Sequence, residues 1–229
     1  MGIGGSRRVI TTKGVLFDLG GTLISVPEPA PVIRSLLAEK GISKTEQEIS
    51  NAVDLADRSF DEDDYIPPHF WILWNSEVLG ELGIHSRREE IARFLDSQWF
   101  ERVEIEPYPE TVEVLARLSK MDLDMGLVTN AVSSDLRYLV DENGLGTYLE
   151  FRATADLAGR RKPNARIFLY AARQMGLPPS EIIFVGDDAD LDYHPSEKVG
   201  MTPVLVNRKG GDALVRNAVD DLRGIEEYL

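Results

Sequence analysis

Five polar residues of this sequence supply the side-chain types that phosphoryl transfer uses. Asp18, Thr129 and Asp187 come at the ends of short apolar runs, and Lys162 and Asp192 lie in polar stretches between such runs. Phosphoryl transfer requires a nucleophile in line with phosphorus, cations beside the equatorial oxygens and donors that fix orientation. The set offers carboxylates, an ammonium group and a hydroxyl, and therefore all three requirements if it forms one site.

The carboxylates of this set also indicate a bound cation. Several carboxylates at one place would repel a phosphate group unless a hard cation lay among them. Mg²⁺ prefers oxygen ligands, keeps some waters and takes one or two carboxylates. We therefore expect Mg²⁺ as the cofactor.

The apolar runs predict parallel strands that bring these residues together. Each run is about four residues long and is followed by a polar residue or a glycine, which is typical of a buried strand. The runs are Gly14–Phe17, Met125–Val128, Ile182–Val185 and Pro203–Val206. Helical patterns lie between them, one after Pro109 at a first helical position and one from about Ala165 to Gly176. This alternation predicts an α/β fold, a Rossmann-like parallel sheet with helices on both faces and ligands at the carboxyl ends of its strands.

Residues 27–106 interrupt the alternation with a pattern that is helical almost throughout. The spacings Ser43-x-x-Glu46 and Ser86-x-x-Glu89 predict capping boxes that open helices. We expect Gly41 to end a first helix. The aromatic cluster that begins at Phe70 is expected to open a third helix and to form the core of the helical segment. We therefore expect residues 1–13 to be an N-terminal tail, residues 14–26 and 107–229 the core, and residues 27–106 an inserted, all-helical cap domain.

Composition limits the classes of function. The 229 residues carry 39 acidic and 25 basic side chains, a formal charge of −14, which disfavours nucleic acid and anionic lipid as partners. The absence of cysteine excludes disulfides and thiol chemistry. No apolar run approaches the roughly 20 residues that span a bilayer. We expect a cytoplasmic protein without a membrane or nucleic-acid partner, and the oligomeric state stays open.

Four short motifs resemble those of haloacid dehalogenase-like hydrolases, in the family's order and rough spacing. The motifs are Phe17–Leu23, Val128–Asn130, Arg161–Pro163 with Ile167 and Phe168, and Val185–Asp187 with Asp192 and Val199–Met201. The resemblance covers the core, and the helical insert has the position of the family's first cap type.

The resemblance implies a role for each matching residue. Asp18 would attack phosphorus and form an aspartyl-phosphate, which water hydrolyses. Thr129 and the main-chain amide of Asn130 would hold the phosphoryl group, and Lys162 would neutralise charge on both nucleophile and phosphate.

The family's metal ligands also map onto this sequence. Mg²⁺ would be held by Asp18, by the main-chain carbonyl of Gly20 and by Asp187. Asp192 would ligate through water or support that shell, and the adjacent Asp188 competes as a ligand. The expected activity is hydrolysis of a small phosphorylated metabolite, a phosphomonoesterase.

Gly20 departs from the family pattern, which has an aspartate there as general acid and base. General acid–base groups contribute on the order of 10²–10⁴ in rate. The missing carboxylate predicts weak activity on alkyl phosphates unless another group acts. Candidates by chemistry alone are Asp61, Asp63, Asp64, His69 and His194.

Three other functions fit the same motifs. A haloacid dehalogenase would carry an aromatic residue in place of Gly20 and need no metal. A phosphonoacetaldehyde hydrolase would carry a small residue there and a cap lysine, for which only Lys40 and Lys44 are available. A non-catalytic protein that binds a phosphorylated ligand is the third, and Gly20 alone supports it.

Overall fold

The computed structural model describes residues 12–61, 63–208, 210 and 215–229. Of the expected tail, residues 1–11 lie outside the described residues. Lys13 donates its main-chain N–H to the carbonyl of Glu181 at 2.8 Å, and the two side chains form an ion pair at 2.9 Å. The chain is therefore anchored to the sheet directly before the first strand.

A six-stranded parallel sheet forms the core, in the order β5-β4-β1-β6-β7-β8. Its strands are β1 (Gly14–Phe17), β4 (Asp124–Thr129), β5 (Phe151–Thr154), β6 (Ile182–Gly186), β7 (Thr202–Val206) and β8 (Ala218–Val219). A separate antiparallel pair consists of β2 (Ile24–Ser25) and β3 (Glu106–Pro107). The four predicted strands are confirmed. The two outermost strands, β5 and β8, were not predicted.

Helices cover both faces of this sheet, as predicted. Successive residues of a strand point to opposite faces, so Val15 and Phe17 of β1 join one hydrophobic cluster and Leu16 joins another. The core helices are α5 (Thr111–Leu118), α6 (Ala155–Ala158), α7 (Ala165–Met175) and α8 (His194–Lys198). Short 3₁₀ or π-helical segments occur at Trp99–Glu101, Ser133–Asp135, Arg137–Asp141, Pro179–Glu181, Ala189–Tyr193 and Leu222–Tyr228. The fold is α/β and Rossmann-like.

Four helices fill the interval between β2 and β3. They are α1 (Pro29–Glu39), α2 (Glu46–Ser59), α3 (Phe70–Glu81) and α4 (Arg88–Gln98). Their apolar faces form a cluster of their own, to which the core contributes only Val132 and Ala155 among the described residues. The insert is all-helical, as predicted, and the aromatic residues of α3 lie in its core. The domain limits at residues 26/27 and 106/107 stay a prediction.

Both predicted capping boxes are wrong. The box on α2 is formed two residues later, by Thr45 and Glu48, whose side chains each accept the other's main-chain N–H at 3.2 and 2.8 Å. The stretch contains both spacings, and the helix begins at the later one. Before α4, Arg87 is at φ 55° and provides no side-chain cap.

The predicted position of Pro109 is also wrong, because α5 begins two residues later, at Thr111. The other predicted limits agree better. Gly41, at φ 74°, follows the end of α1, and Gly176, at φ 68°, caps α7. No helix in the described part of the chain is long and apolar enough to cross a membrane.

The corrected capping box makes a testable difference between two neighbouring hydroxyls. Replacing an N-cap threonine by alanine costs about 1 kcal/mol, so we expect Thr45→Ala to lower the free energy of unfolding by about that amount. Ser43 is exposed and precedes the box, so Ser43→Ala is the matched control and should change little. Urea denaturation followed by circular dichroism measures both. Equal losses in the two variants would contradict the assignment.

Candidate active site

The carboxyl ends of three neighbouring strands place the predicted residues together. Asp18 directly follows β1, Thr129 ends β4 and Asp187 directly follows β6. β4 and β6 flank β1 in the sheet. Parallel strands present their carboxyl ends at the same edge, so these side chains converge as the sequence predicted.

Lys162 joins this group from the turn before α7. Its Nζ donates to Asp18 Oδ1 and, at 2.7 Å, to Asp192 Oδ1. The side chain is only 4% exposed. Burial opposes the charged form, but the charges of Asp18 and Asp192 outweigh it and hold the pKa of the ammonium above its usual value. Lys162 is therefore a fixed cation beside the Asp18 carboxylate.

Thr22 is a member of the site that the sequence analysis quoted within a motif but gave no role. Its Oγ1 lies 3.0 Å from Asp18 Oδ2 and 3.3 Å from Asp187 Oδ1, and its side chain is fully buried. Because Lys162 contacts the other oxygen of Asp18, both oxygens of that carboxylate have donors. The orientation of Asp18 is thus set from two sides.

The three carboxylates fit a divalent cation. Asp18, Asp187 and Asp192 can each place one oxygen so that all three lie within 4.8 Å of one another. Against the single ammonium of Lys162 they leave an excess of two negative charges. Burial, and then the charge of Asp18, raise the pKa of Asp187 to about 6. A cation that prefers oxygen ligands would offset the excess negative charge and favour the ionised form of Asp187.

Asp188, the competing candidate, has a different place. Its carboxylate accepts the main-chain N–H groups of Asp190 and Leu191, each at 2.8 Å, and so caps the turn that follows. Asp192 is engaged on both oxygens, by Lys162 Nζ and by the N–H of Asp188 at 3.2 Å.

Two glycines make room for the carboxylates. A Cβ built on Gly21 would overlap the Asp187 carboxylate, and Gly21 also has φ +84°. A Cβ on Gly186 would overlap the Asp192 carboxylate. At Gly20, by contrast, a Cβ would meet only Val26 Cγ2, at 3.3 Å. The position where the family carries its acid can thus take a side chain if Val26 shifts by a few tenths of an ångström.

The amide of Asn130 connects two motifs. Its Oδ1 accepts the main-chain N–H of Lys162 at 2.7 Å, and its Nδ2 donates to the Lys162 carbonyl at 3.3 Å. Beside it, Thr129 Oγ1 accepts the N–H of Ala131 at 3.2 Å and keeps its hydroxyl proton for another acceptor. Asn130 therefore positions Lys162 through the main chain, a role that the sequence did not predict.

Arg208, after β7, holds the turn that follows the nucleophile. Its guanidinium donates to the carbonyls of Gly21 at 3.2 Å and Thr22 at 2.7 Å, and it pairs with the buried Glu110 at 2.6 Å. The same group lies 3.6 Å from the ring centroid of Tyr108. No sequence signal identified Arg208, because its contacts join segments far apart along the chain.

The residues considered as a replacement acid do not reach the site. Those concerned are Asp61, Asp63, Asp64, His69 and His194. All five are exposed, and none lines either of the two cavities described below. Asp63 instead accepts a hydrogen bond from Asn164 at 2.8 Å.

A cavity of about 340 Å³ is lined by both the core and the helical insert. Gly20 and Thr129 border it from the core, and Trp71 and Trp74 from the insert. A second cavity, of about 470 Å³, is bordered by Asn130 and Lys162 and shares Trp71 with the first. Residues of the site thus line two different cavities.

Asp135 lines the first cavity and ties the core to the insert. Its Oδ2 accepts the indole N–H of Trp71 at 2.8 Å and the N–H of Val132 at 3.2 Å. It is 8% exposed, and burial raises the pKa of its carboxyl to about 6 despite these donors. The sequence analysis did not single out Asp135.

The sheet order and the residues at its strand ends define a Rossmann-like α/β enzyme. A family model described as haloacid dehalogenase-like hydrolase matches residues 12–199. The chain therefore belongs to the haloacid dehalogenase-like hydrolases, which confirms the resemblance seen in its motifs.

Two curated relatives are named as phosphatases. A glyceraldehyde 3-phosphate phosphatase of Methanocaldococcus jannaschii is 25% identical over 198 residues, which are 85% of this chain and 84% of that protein. Phosphoglycolate phosphatase 1 of Pseudomonas aeruginosa is 28% identical over 179 residues, 76% of this chain and 61% of that protein.

The similar solved structures include both phosphatases and dehalogenases. A HAD phosphatase from Thermococcus onnurineus has a TM-score of 0.69 at 24% identity, and the match covers 95% of this chain and 97% of that one. A 2-haloacid dehalogenase from Pseudomonas syringae pv. tomato has a TM-score of 0.71 at 24% identity, with the same coverage. These likenesses establish the fold and do not distinguish the two reactions.

The raised pKa of Asp135 predicts a pH-dependent contribution to stability. Because its folded-state pKa of about 6 exceeds the ordinary aspartate pKa of 3.8, ionisation costs folding free energy. The cost is absent below about pH 4, grows as the pH rises and is complete above about pH 6. We expect Asp135→Asn to become more stable relative to wild type over this window, by on the order of 1–3 kcal/mol.

Urea unfolding of both proteins at four pH values between 4 and 7 measures this difference. Asp122→Asn, at an exposed aspartate before β4, is the control. A difference between wild type and Asp135→Asn that does not vary with pH would refute the assignment.

Proposed function

We propose that this hydrolase is a magnesium-dependent phosphomonoesterase that acts through an aspartyl-phosphate on Asp18. The observation that carries the proposal is the buried contact of Lys162 with Asp18, beside carboxylates with an uncompensated charge of two. A carboxylate held between an ammonium group and a cation site is oriented for attack on an anionic phosphate ester. The names of the two curated relatives support the same reaction class.

Each residue of the site has a role in this proposal. Asp18 attacks phosphorus while Lys162 and Thr22 hold its orientation, the P–O bond to the alcohol breaks, and the departing alkoxide takes a proton from water. Thr129 donates its hydroxyl proton, and Asn130 its main-chain N–H, to the phosphoryl oxygens. The phosphoenzyme is then hydrolysed by water.

The metal-binding residues would be Asp18, the carbonyl of Gly20 and Asp187. Bound Mg²⁺ would supply charge that offsets the phosphoryl oxygens. Asp192 uses both oxygens on Lys162 and Asp188, so its role in the proposal is to position Lys162 and to support the metal shell.

The alternatives have less support in the site. A dehalogenase needs neither a metal nor the excess of carboxylates. For a Schiff-base hydrolase, Lys40 Nζ lies 3.6 Å from the ring centroid of Phe94, and Lys44 pairs with Glu48 at 3.4 Å. Neither lysine lines the two cavities described above. A silent binding protein would not require the oriented Asp18.

The proposal extends to the setting of the reaction. The substrate is a small phosphorylated metabolite, because the cavities next to the site are of small-molecule size. The proposal places the reaction in the cytoplasm. Residues 27–106 act as a cap that closes over it, and residues 14–26 and 107–229 carry the chemistry.

Hydrolysis of 4-nitrophenyl phosphate tests the function directly. We expect turnover that requires Mg²⁺, is abolished by EDTA and falls by on the order of 10³ or more in Asp18→Asn, which removes the nucleophile. The acidic phenol departs without a general acid, so Gly20 should not conceal the activity. Turnover that is equal in wild type and Asp18→Asn would rule the proposal out.

Gly20→Asp should restore the missing acid. A Cβ there would meet only Val26 Cγ2, at 3.3 Å, which a small shift of that side chain relieves, and a carboxyl there would protonate an alkoxide leaving group. We expect hydrolysis of an alkyl phosphate such as glycerol 3-phosphate to rise by on the order of 10² or more, within the range for acid–base groups. Hydrolysis of 4-nitrophenyl phosphate should change little. Gly20→Asn, equal in size without an acidic proton, is the control, and an equal gain in that variant would exclude acid catalysis.

A further inference from the structure

The first cavity carries negative charge at the place where the leaving group of the proposed reaction must lie. Gly20 and Thr129, which the proposed function places beside the phosphoryl group, border this cavity. Three aspartates line it, namely Asp57, Asp96 and Asp135. No lysine, arginine or histidine lines it among the described residues.

Of the two cavities in the described part of the chain, only the second has cationic residues in its lining, and Asp57 lines both. Arg58, Arg161 and Lys162 line that space, next to Asn130. Arg161 also donates to main-chain carbonyls at the end of α2, including that of Asp57 at 3.0 Å. The cationic residues therefore line the cavity on the phosphate side. The charged residues that line the first cavity, on the leaving-group side, are all aspartates.

Two of the aspartates fix tryptophan rings, and the third has no such partner. Asp57 accepts the indole N–H of Trp74 at 2.7 Å, and Asp135 accepts that of Trp71. Asp96 has no hydrogen-bond partner for its side chain among the described residues. The positive charge that acts on it is that of Arg93, which pairs with Glu89 at 2.8 Å. Burial raises the pKa of Asp96, as it does for Asp135.

Aromatic rings form much of the remaining wall. All three tryptophans of the chain, Trp71, Trp74 and Trp99, line the cavity, together with Phe100. Aromatic faces attract apolar groups and cations and repel anions, because the ring face is negative. The volume of about 340 Å³ exceeds the roughly 150 Å³ in which a benzene molecule binds.

We propose that this cavity selects phosphate monoesters whose alcohol part is apolar or aromatic and carries no negative charge, and that it accepts an ammonium group there. The inference rests on the proposed phosphatase function and specifies its substrate class. A second anion would lie against three carboxylates without a cation to pair with it, which disfavours it strongly. Of the two substrates named for the curated relatives, phosphoglycolate has a carboxylate in this position and glyceraldehyde 3-phosphate does not.

Three aryl phosphates that differ only in the para group test the selection. Phenyl phosphate is neutral there, 4-carboxyphenyl phosphate is negative and tyramine phosphate is positive. We expect kcat/KM of the carboxylate compound to be at least about tenfold below that of phenyl phosphate, since like charges in contact are strongly disfavoured. The kcat/KM of tyramine phosphate should equal or exceed that of phenyl phosphate.

In the double variant Asp96→Asn with Asp135→Asn, the ratio of kcat/KM for 4-carboxyphenyl phosphate to kcat/KM for phenyl phosphate should rise severalfold. Asp122→Asn, at the opposite end of β4 from Thr129, should leave the ratio unchanged. A wild-type enzyme that prefers the carboxylate compound, or a ratio that the double variant does not alter, would overturn the inference.

Tryptophan fluorescence keeps the inference testable without catalysis. Because all three tryptophans line the cavity, their emission reports its occupancy. Benzylamine and benzyl alcohol should perturb the emission at lower concentration than benzoate does. If this order holds while Asp18-dependent turnover is absent, the proposed function fails and the charge preference stands. If turnover depends on Asp18 but benzoate binds as well as the others, the charge preference alone fails.

Discussion

The buried ammonium of Lys162 between Asp18 and Asp192 is the contact on which the other features of the site depend. A buried cation is stable only when carboxylates and hydrogen-bond acceptors replace its hydration, and removing one partner of such a pair costs about 3–5 kcal/mol. Three segments of the chain must therefore meet at this point. Asn130 fixes the main chain of Lys162 from β4, and Arg208 fixes the turn after Asp18 from β7. The sheet provides the common edge on which all of them converge.

Close approach is the second constraint, and the glycines satisfy it. The carboxylates of Asp187 and Asp192 occupy the volumes where side chains of Gly21 and Gly186 would lie. Charge is thereby concentrated in a space too small for any other residue type at those two positions. Gly20 is different, because a Cβ there would meet only the end of the Val26 side chain, at 3.3 Å. The adjacent glycines thus differ in what they make room for. Gly21 admits the Asp187 carboxylate, and Gly20 borders the first cavity without a side chain.

The sequence predicted the fold and the convergence of Asp18, Thr129, Lys162 and Asp187 because strand patterns are local and their carboxyl ends share an edge. It did not predict β5, whose Arg152 interrupts the apolar run and pairs with Asp141 at 2.8 Å. Arg208 and Asp135 escaped notice because only tertiary contacts distinguish them from ordinary surface residues. The capping box of α2 was misplaced because two overlapping spacings were equally good locally, and the one predicted for α4 is replaced by Arg87 without a side-chain cap. The roles of the site residues and the domain limits stay predictions.

The short ribbon of β2 and β3 gives the chain a further property. Ser25 pairs with Glu106, so the chain enters and leaves the helical insert at adjacent points. Paired residues of antiparallel strands have Cα atoms about 4.5–5.5 Å apart, a gap that a tight turn spans. The intervening residues are therefore a replaceable insertion. A different insert or a simple loop could join the same two ends without a change in the order of the sheet strands. The insert can then change in sequence or size while the order of the sheet strands stays the same.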